Sequence, residues 1–142
     1  MVIEPMSADA REEARALLGA NDLPTDDLGD AAVRLFVAID DGALLGVVGL
    51  QRCDGVGLLR SLAVSSSART RGIGAQLCAH VFEVARRDGL MTIYLLTTSA
   101  SAYFTRHGFT VVPRDEAPAS IQATAQFASL CPASAVVMAR AL

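Results

Sequence analysis

Leu58-Leu59-Arg60-Ser61-Leu62-Ala63-Val64, then Ser65-Ser66-Ser67-Ala68, then Arg69-Thr70-Arg71-Gly72-Ile73-Gly74 is the stretch on which the fold turns. It reads as a strand, a short loop and the opening of a long amphipathic helix. Two arginines and two glycines sit at the turn. A helix start leaves backbone N–H groups without partners and carries partial positive charge. Glycines there let a phosphate approach those N–H groups closely. The stretch therefore predicts a pyrophosphate cradle; the alternative is that the glycines only let the helix pack tightly on its strand.

The pattern extends in both directions. Downstream, Ile73, Leu77, His80, Val81 and Val84 recur at helical spacing, with Arg86 and Arg87 near the end and Gly89 as the stop, predicting a helix over 72–88. Met91 to Thr97 reads as a strand parallel to the one before the helix, because a helical crossover joins them. Ser99 to His107 reads as a short helix, Phe109 to Val112 as a strand, Ala117 to Leu130 as a helix and Ala133 to Ala139 as the closing strand. Upstream, Val33 to Asp40 and Leu44 to Arg52 form a hairpin about Asp40-Asp41-Gly42, and Asp54-Gly55 turns into a third strand over 56–64. Val2-Ile3 opens a short strand, and Ala8 to Leu18 reads as a helix with Ser7 as its N-cap. Asn21 to Asp30 is an acidic loop with a short helical piece.

Composition bounds the function. The 142 residues suit one domain with a real core, and the mean hydropathy of +0.40 owes much to alanine. No apolar run reaches the ~18 residues of a membrane span. The N-terminus Met1-Val2-Ile3-Glu4-Pro5 reads as no signal peptide. A net charge of −3 argues against nonspecific binding to nucleic acid. Cys53, Cys78 and Cys131 are odd in number and far apart, which points to a reducing cytoplasm.

Arg69-Thr70-Arg71-Gly72-Ile73-Gly74 fits Gln/Arg-x-x-Gly-x-Gly/Ala, and it is preceded by Leu-Ala-Val and followed by the helix-Gly-Phe step His107-Gly108-Phe109. In these features the chain resembles the Gcn5-related N-acetyltransferases (GNAT), most strongly from Leu58 to Phe109. The resemblance implies an α/β (α+β) GNAT fold over residues 1–142. That is a mixed, mostly antiparallel sheet of six to seven strands with a splayed central parallel pair, flanked by about four to five helices. It implies acetyl-CoA as cosubstrate and no metal. The N–H groups of Arg71, Gly72, Ile73, Gly74 and Ala75 would hold the pyrophosphate, with charge from Arg69 and Arg71. Leu62, Ala63 and Val64 would pair with the pantetheine arm as an added strand, with Thr97, Thr98 and Phe104 beside it. A backbone N–H near Leu62 or Ala63 would polarise the thioester carbonyl. Family members mostly form homodimers.

The chain also departs from the family. The tyrosine that donates a proton to the leaving thiolate in many members is replaced by Phe104, with Tyr103 one residue earlier; one helical step turns a side chain by roughly 100°. Tyr103 is either the acid or a packing residue. Where members carry a glutamate base on the strand before the loop, this chain has Leu58. Alternation would place Leu58, Arg60 and Leu62 on one face. Arg60 is either a two-point anchor for an oxyanion of the acceptor or half of an ion pair that holds a loop. Glu4, Asp26, Asp27 and Asp54 are equally open as the base.

The C-terminal insertion and the stretch from Leu130 to Ala135 are similar to the short acetyltransferases associated with bacterial arsenic resistance. That implies a small-molecule amine substrate of the arsinothricin or phosphinothricin type, with no nucleic acid or membrane partner. Two other readings remain open: a non-catalytic acetyl-CoA sensor, and a metalloid-binding protein acting through its cysteines. His80 reads as a packing residue.

Overall fold

Alternation of side chains along the strands sorts the core into two faces. On β2 (Val33–Asp40), Leu35 and Val37 pack with Ala14 and Leu18 of α1 (Arg11–Ala20), while Phe36 and Ala38 pack on the side of α2 (Ile73–Arg87). The same division continues on β5 (Thr92–Thr97), where Ile93 and Leu95 face α2. Tyr94 and Leu96 there join Ile121 of α4 (Ala119–Gln122). The computed structural model describes residues 1–130 and 134–142.

Among the described residues the sheet has seven strands. Besides β2 and β5 these are β1 (Val2–Pro5), β3 (Ala43–Cys53), β4 (Val56–Val64), β6 (Thr110–Val112) and β7 (Val136–Ala141), in the order β1-β2-β3-β4-β5-β7-β6. Every neighbouring pair is antiparallel except β4 and β5. The parallel joint follows from the α2 crossover. The β2–β3 hairpin closes through Asp41 at φ 50° and Gly42 at φ 77°, the double positive φ that a two-residue turn requires. α3 (Ser101–Arg106) packs Phe104 into the α2-side core. No helix among the described residues is long and apolar enough to cross a membrane.

Four expectations change. Residues 117–130 are not one helix: α4 is a single turn after Pro118, and Gln126–Leu130 forms a π-helical turn. Between them Thr124 Oγ1 donates to the Ile121 carbonyl at 2.7 Å and accepts from the Phe127 N–H at 3.2 Å, local bonds that compete with a continuous helix. The closing strand begins at Val136 rather than Ala133; Ala133 and Cys131 lie outside the described residues. Ser7 precedes a 3₁₀ turn (Ala8–Ala10) and makes no side-chain cap bond, and Asn21 to Asp30 contains turns only.

Candidate functional site

The one parallel joint is short. β4 and β5 pair at Gly57↔Ile93 and Leu58↔Tyr94, and beyond these the strands part. The gap is a cleft of about 580 Å³. Leu59–Leu62 form one wall and Leu95–Ser99 the other, with Tyr103 and Phe104 between them; Asn21–Pro24, Gln126 and Ala135 make the rim.

A bulge shapes the β4 wall. Gly49 pairs with Arg60 and Val47 with Ala63, so two residues, Ser61 and Leu62, stand against Val48. Ser61 takes φ 59°, the left-handed region that a serine seldom occupies. The extra residue breaks alternation. Leu58 and Ala63 pack on the side of α4 and α1, whereas Leu62 packs on the α2 side. Leu58, Arg60 and Leu62 therefore do not share a face, contrary to the sequence expectation.

The Arg60 side chain is fully buried and held on several sides. Its two terminal nitrogens donate to the two carboxylate oxygens of Asp27, Nη1 also donates to Gln51 Oε1 at 3.2 Å, and Nε donates to Ser61 Oγ at 3.1 Å. Of the two sequence readings of Arg60, this arrangement is the ion pair that holds a loop. The Arg60 hydrogen bonds keep the Asp27 carboxyl below its ordinary value, against the opposing effect of burial. Sequence reasoning left Asp27 among four candidate bases and missed Gln51. A lone arginine in an otherwise apolar strand was the available signal that a buried carboxylate must meet it.

At the start of α2, Gly72 is the N-cap at φ 71°, and a Cβ there would meet nothing within 4 Å. Its glycine serves the left-handed backbone and leaves open space before the helix. The Arg71 N–H donates to the Ala68 carbonyl at 3.2 Å, so the open N–H groups begin after Arg71. Ile73 sends its side chain into the core, leaving its backbone to the helix start. Arg71 reaches Asp40 at 2.9 Å, and Arg69 donates to the Val64 carbonyl and to Asn21 Oδ1.

Gly74 has a different reason to be glycine. A Cβ there would lie 2.6 Å from the Tyr103 hydroxyl, which rests on the first turn of α2 beside Val64. Tyr103 thus links the cleft to the helix start. Burial raises its pKa, with the nearby Cys78 adding to the effect and Arg106 opposing it, so the hydroxyl keeps its proton at neutral pH. Its ring lies against His107 at 4.6 Å with the planes tilted by 47°, and meets Phe104 edge-on. We expect Gly74→Ala to lower the melting temperature despite alanine's better helix propensity, worth about 1 kcal/mol. Adding Tyr103→Phe should restore it by removing the colliding oxygen; a Gly74→Ala melt equal to wild type would show that the ring yields freely.

The sequence-predicted residues fall into two groups. Arg60, Leu62, Thr97, Thr98, Tyr103 and Phe104 line the cleft; Arg69, Arg71, Gly72, Ile73, Gly74 and Ala75 form the helix start next to it, joined through Ala63 and Val64. Thr97 Oγ1 accepts the Ala100 N–H at 3.0 Å, fixing the turn into α3. Phe104 also belongs to the core, 5.7 Å from the Phe109 ring. Cys53 and Cys78 are buried in clusters on opposite faces of the sheet and do not converge. Burial pushes the Cys78 thiol up to about 11. His80 packs edge-on against Phe36 at 4.7 Å, and burial lowers its pKa. Among the described residues, no three His, Cys, Asp or Glu side chains are grouped to hold a metal ion.

Residues 31–111 match the acetyltransferase (GNAT) domain family. An amino-acid acetyltransferase of Neisseria meningitidis is 34% identical over 80 residues, which are 55% of this chain and 18% of that protein. The chain therefore spans less than a fifth of the curated relatives it matches. Among solved structures, N-acetylglutamate synthase of Neisseria gonorrhoeae, complexed with coenzyme A and N-acetyl-glutamate, superposes with a TM-score of 0.82 at 21% identity. The match covers 100% of this chain and 35% of that one. A Mycobacterium tuberculosis protein in complex with CoA gives a TM-score of 0.84 at 20% identity, covering 100% of this chain and 99% of the other. At these identities the likeness is one of fold.

Proposed function

The chain belongs to the GNAT acetyltransferase family, and on that premise we propose that it transfers the acetyl group of acetyl-CoA to the amine of a small acceptor. The observation that carries this reading is the joint between β4 and β5. Its ladder stops after two pairs and opens into a cleft that leads, past Tyr103 and Val64, to a helix start with open N–H groups. A pantetheine arm is an extended chain with amide groups and fits such a gap as an added strand. A pyrophosphate fits the open space before Gly72.

In this reading Gly72, Ile73, Gly74 and Ala75 hold the phosphates by their N–H groups, and Arg69 and Arg71 supply charge nearby. Leu62, Ala63 and Val64 pair with the pantetheine, with Thr97, Thr98 and Phe104 along the opposite wall. A backbone N–H at the bulge, near Leu62 or Ala63, polarises the thioester carbonyl. The amine, having released its ammonium proton to solvent, attacks that carbon; the C–N bond forms, the C–S bond breaks, the thiolate takes a proton from its donor, and the second proton shed by the nitrogen passes through water to restore that donor. Tyr103 is the protonated phenol on the cleft wall and is assigned as its donor. Tyr103→Phe should then lower kcat about tenfold or more while leaving the KM for acetyl-CoA within about twofold. An unchanged kcat would return Tyr103 to a packing role. Positioning of the two substrates supplies most of the rate.

The acceptor reading is an amino-acid-like amine held against Asn21–Pro24, the wall that Arg60 secures through Asp27. Phosphinothricin, arsinothricin, glutamate, a polyamine and a histone-tail peptide form the test panel, read as thiol release from acetyl-CoA. Release with an oxyanion amino acid supports the toxin-type acceptor, and release with the polyamine alone removes it. Coenzyme A binding by calorimetry without release on any acceptor would favour a sensor. No coenzyme A binding would overturn the proposal. The reducing interior suggested by the dispersed cysteines suits acetyl-CoA chemistry.

A further inference from the structure

Five polar or charged residues are buried among those described, and three of them are linked: Arg60 and Ser61 at the β4 bulge and Gln51 on the neighbouring β3. The arginine is the charged one of the five. A buried ion pair returns little net stability compared with an apolar replacement. Its location therefore needs another reason. Ser61 points the same way. At φ 59° glycine would be unstrained, yet the position holds serine, and its Oγ accepts the Arg60 Nε–H at 3.1 Å. The other end of the guanidinium grips Asp27, whose loop supplies Asn21, Asp22, Leu23 and Pro24 to the cleft rim. Gln51 on β3 braces the middle at 3.2 Å.

We propose that Asp27, Arg60 and Ser61 form one positioning unit that ties the rim of the cleft to the β4 bulge. This rests on the acetyl-transfer reading, in which the bulge backbone faces the thioester and the rim faces the acceptor. Asp27 and Ser61 are 34 residues apart in sequence, and the Arg60 side chain bonds to both. Fixing the bulge to the rim sets the thioester carbonyl and the incoming amine in one frame, so a small loosening at either end costs rate rather than affinity.

Two substitutions separate positioning from folding. Ser61→Gly relieves the positive φ but leaves the buried Arg60 Nε–H without its acceptor, two effects that oppose each other, so it should melt within a few degrees of wild type, while kcat falls about tenfold and the KM for acetyl-CoA stays within about twofold. Asp27→Asn should lower kcat to a similar degree. The double variant should be no slower than the slower single one, because both break the same chain. Amide exchange read by mass spectrometry should quicken over residues 58–64 in Asp27→Asn and stay unchanged over 76–87. Additive losses in kcat, or wild-type exchange over 58–64 in Asp27→Asn, would overturn the unit. The exchange measurement needs no turnover. Quickened exchange in a protein that transfers no acetyl group would keep the link and overturn the acetyl-transfer reading. Turnover with unaltered exchange would overturn the link alone.

Discussion

Gly72→Glu is expected to abolish coenzyme A binding, raising Kd a hundredfold or more. Two effects act in the same direction. The backbone at 72 stands at φ 71°, where a residue with a Cβ costs roughly 1–2 kcal/mol. A glutamate there also places its own carboxylate in front of the N–H groups of α2, where the positive end of the helix favours an anion. The phosphate then meets an occupied, negatively charged site. A hundredfold change corresponds to about 2.7 kcal/mol. Calorimetry with coenzyme A measures it. Gly72→Asn is the control: asparagine tolerates the left-handed region and carries no charge, so it should keep most of the affinity. If Gly72→Glu binds coenzyme A within threefold of wild type, the helix start is not the phosphate site.

Arg60→Ala is the largest expected loss of stability. Removing one partner of a buried ion pair leaves the other charge uncompensated, at a cost of about 3–5 kcal/mol. Because the Asp27 carboxyl remains 14% exposed, the lower end of that range applies. Against a total stability of ~5–15 kcal/mol, this is a large share, read by urea unfolding at pH 7. The pH dependence carries a sign. Asp27 has its folded pKa lowered below the ordinary 3.8, so its contribution is present above that value and is lost as pH falls below it. The gap between wild type and Arg60→Ala should therefore narrow in acid. A gap that is constant from pH 7 to pH 3 would mean the Asp27 charge contributes nothing. In the surviving folded enzyme, kcat should fall at least as far as in Asp27→Asn, because the rim loses the same tether.

What was readable in the sequence was local. Asp41-Gly42 specified its hairpin because tight turns demand positive φ, and Gly72 marked a helix start because its left-handed backbone favours glycine. The order of helices and strands followed from their differing periodicities. The bulge was not readable, since nothing in Leu-Leu-Arg-Ser-Leu-Ala-Val signals that alternation fails at serine. Neither was the partner of Arg60, which lies far away in sequence and is chosen by the fold. Residues 117–130 misled because alanine-rich sequence has high helix propensity, while Thr124 and the packing of Ile121 and Phe127 decided otherwise. The site was thus legible where backbone conformation alone defines it, and hidden where distant side chains meet.

The joint at Gly57 and Leu58 also bears on how the molecule holds together. On one side of it stand β1 to β4, on the other β5, β7 and β6, and only two ladder pairs stitch these leaves along their shared seam. A guest threaded between them becomes a rib of the sheet, supplying the backbone bonds that the two leaves do not make with each other. Ligand occupancy and thermal resistance are then one quantity: at a hundred times its Kd, such a guest adds about 2.7 kcal/mol to the folded state. A melting curve taken with and without coenzyme A weighs the missing stitches directly.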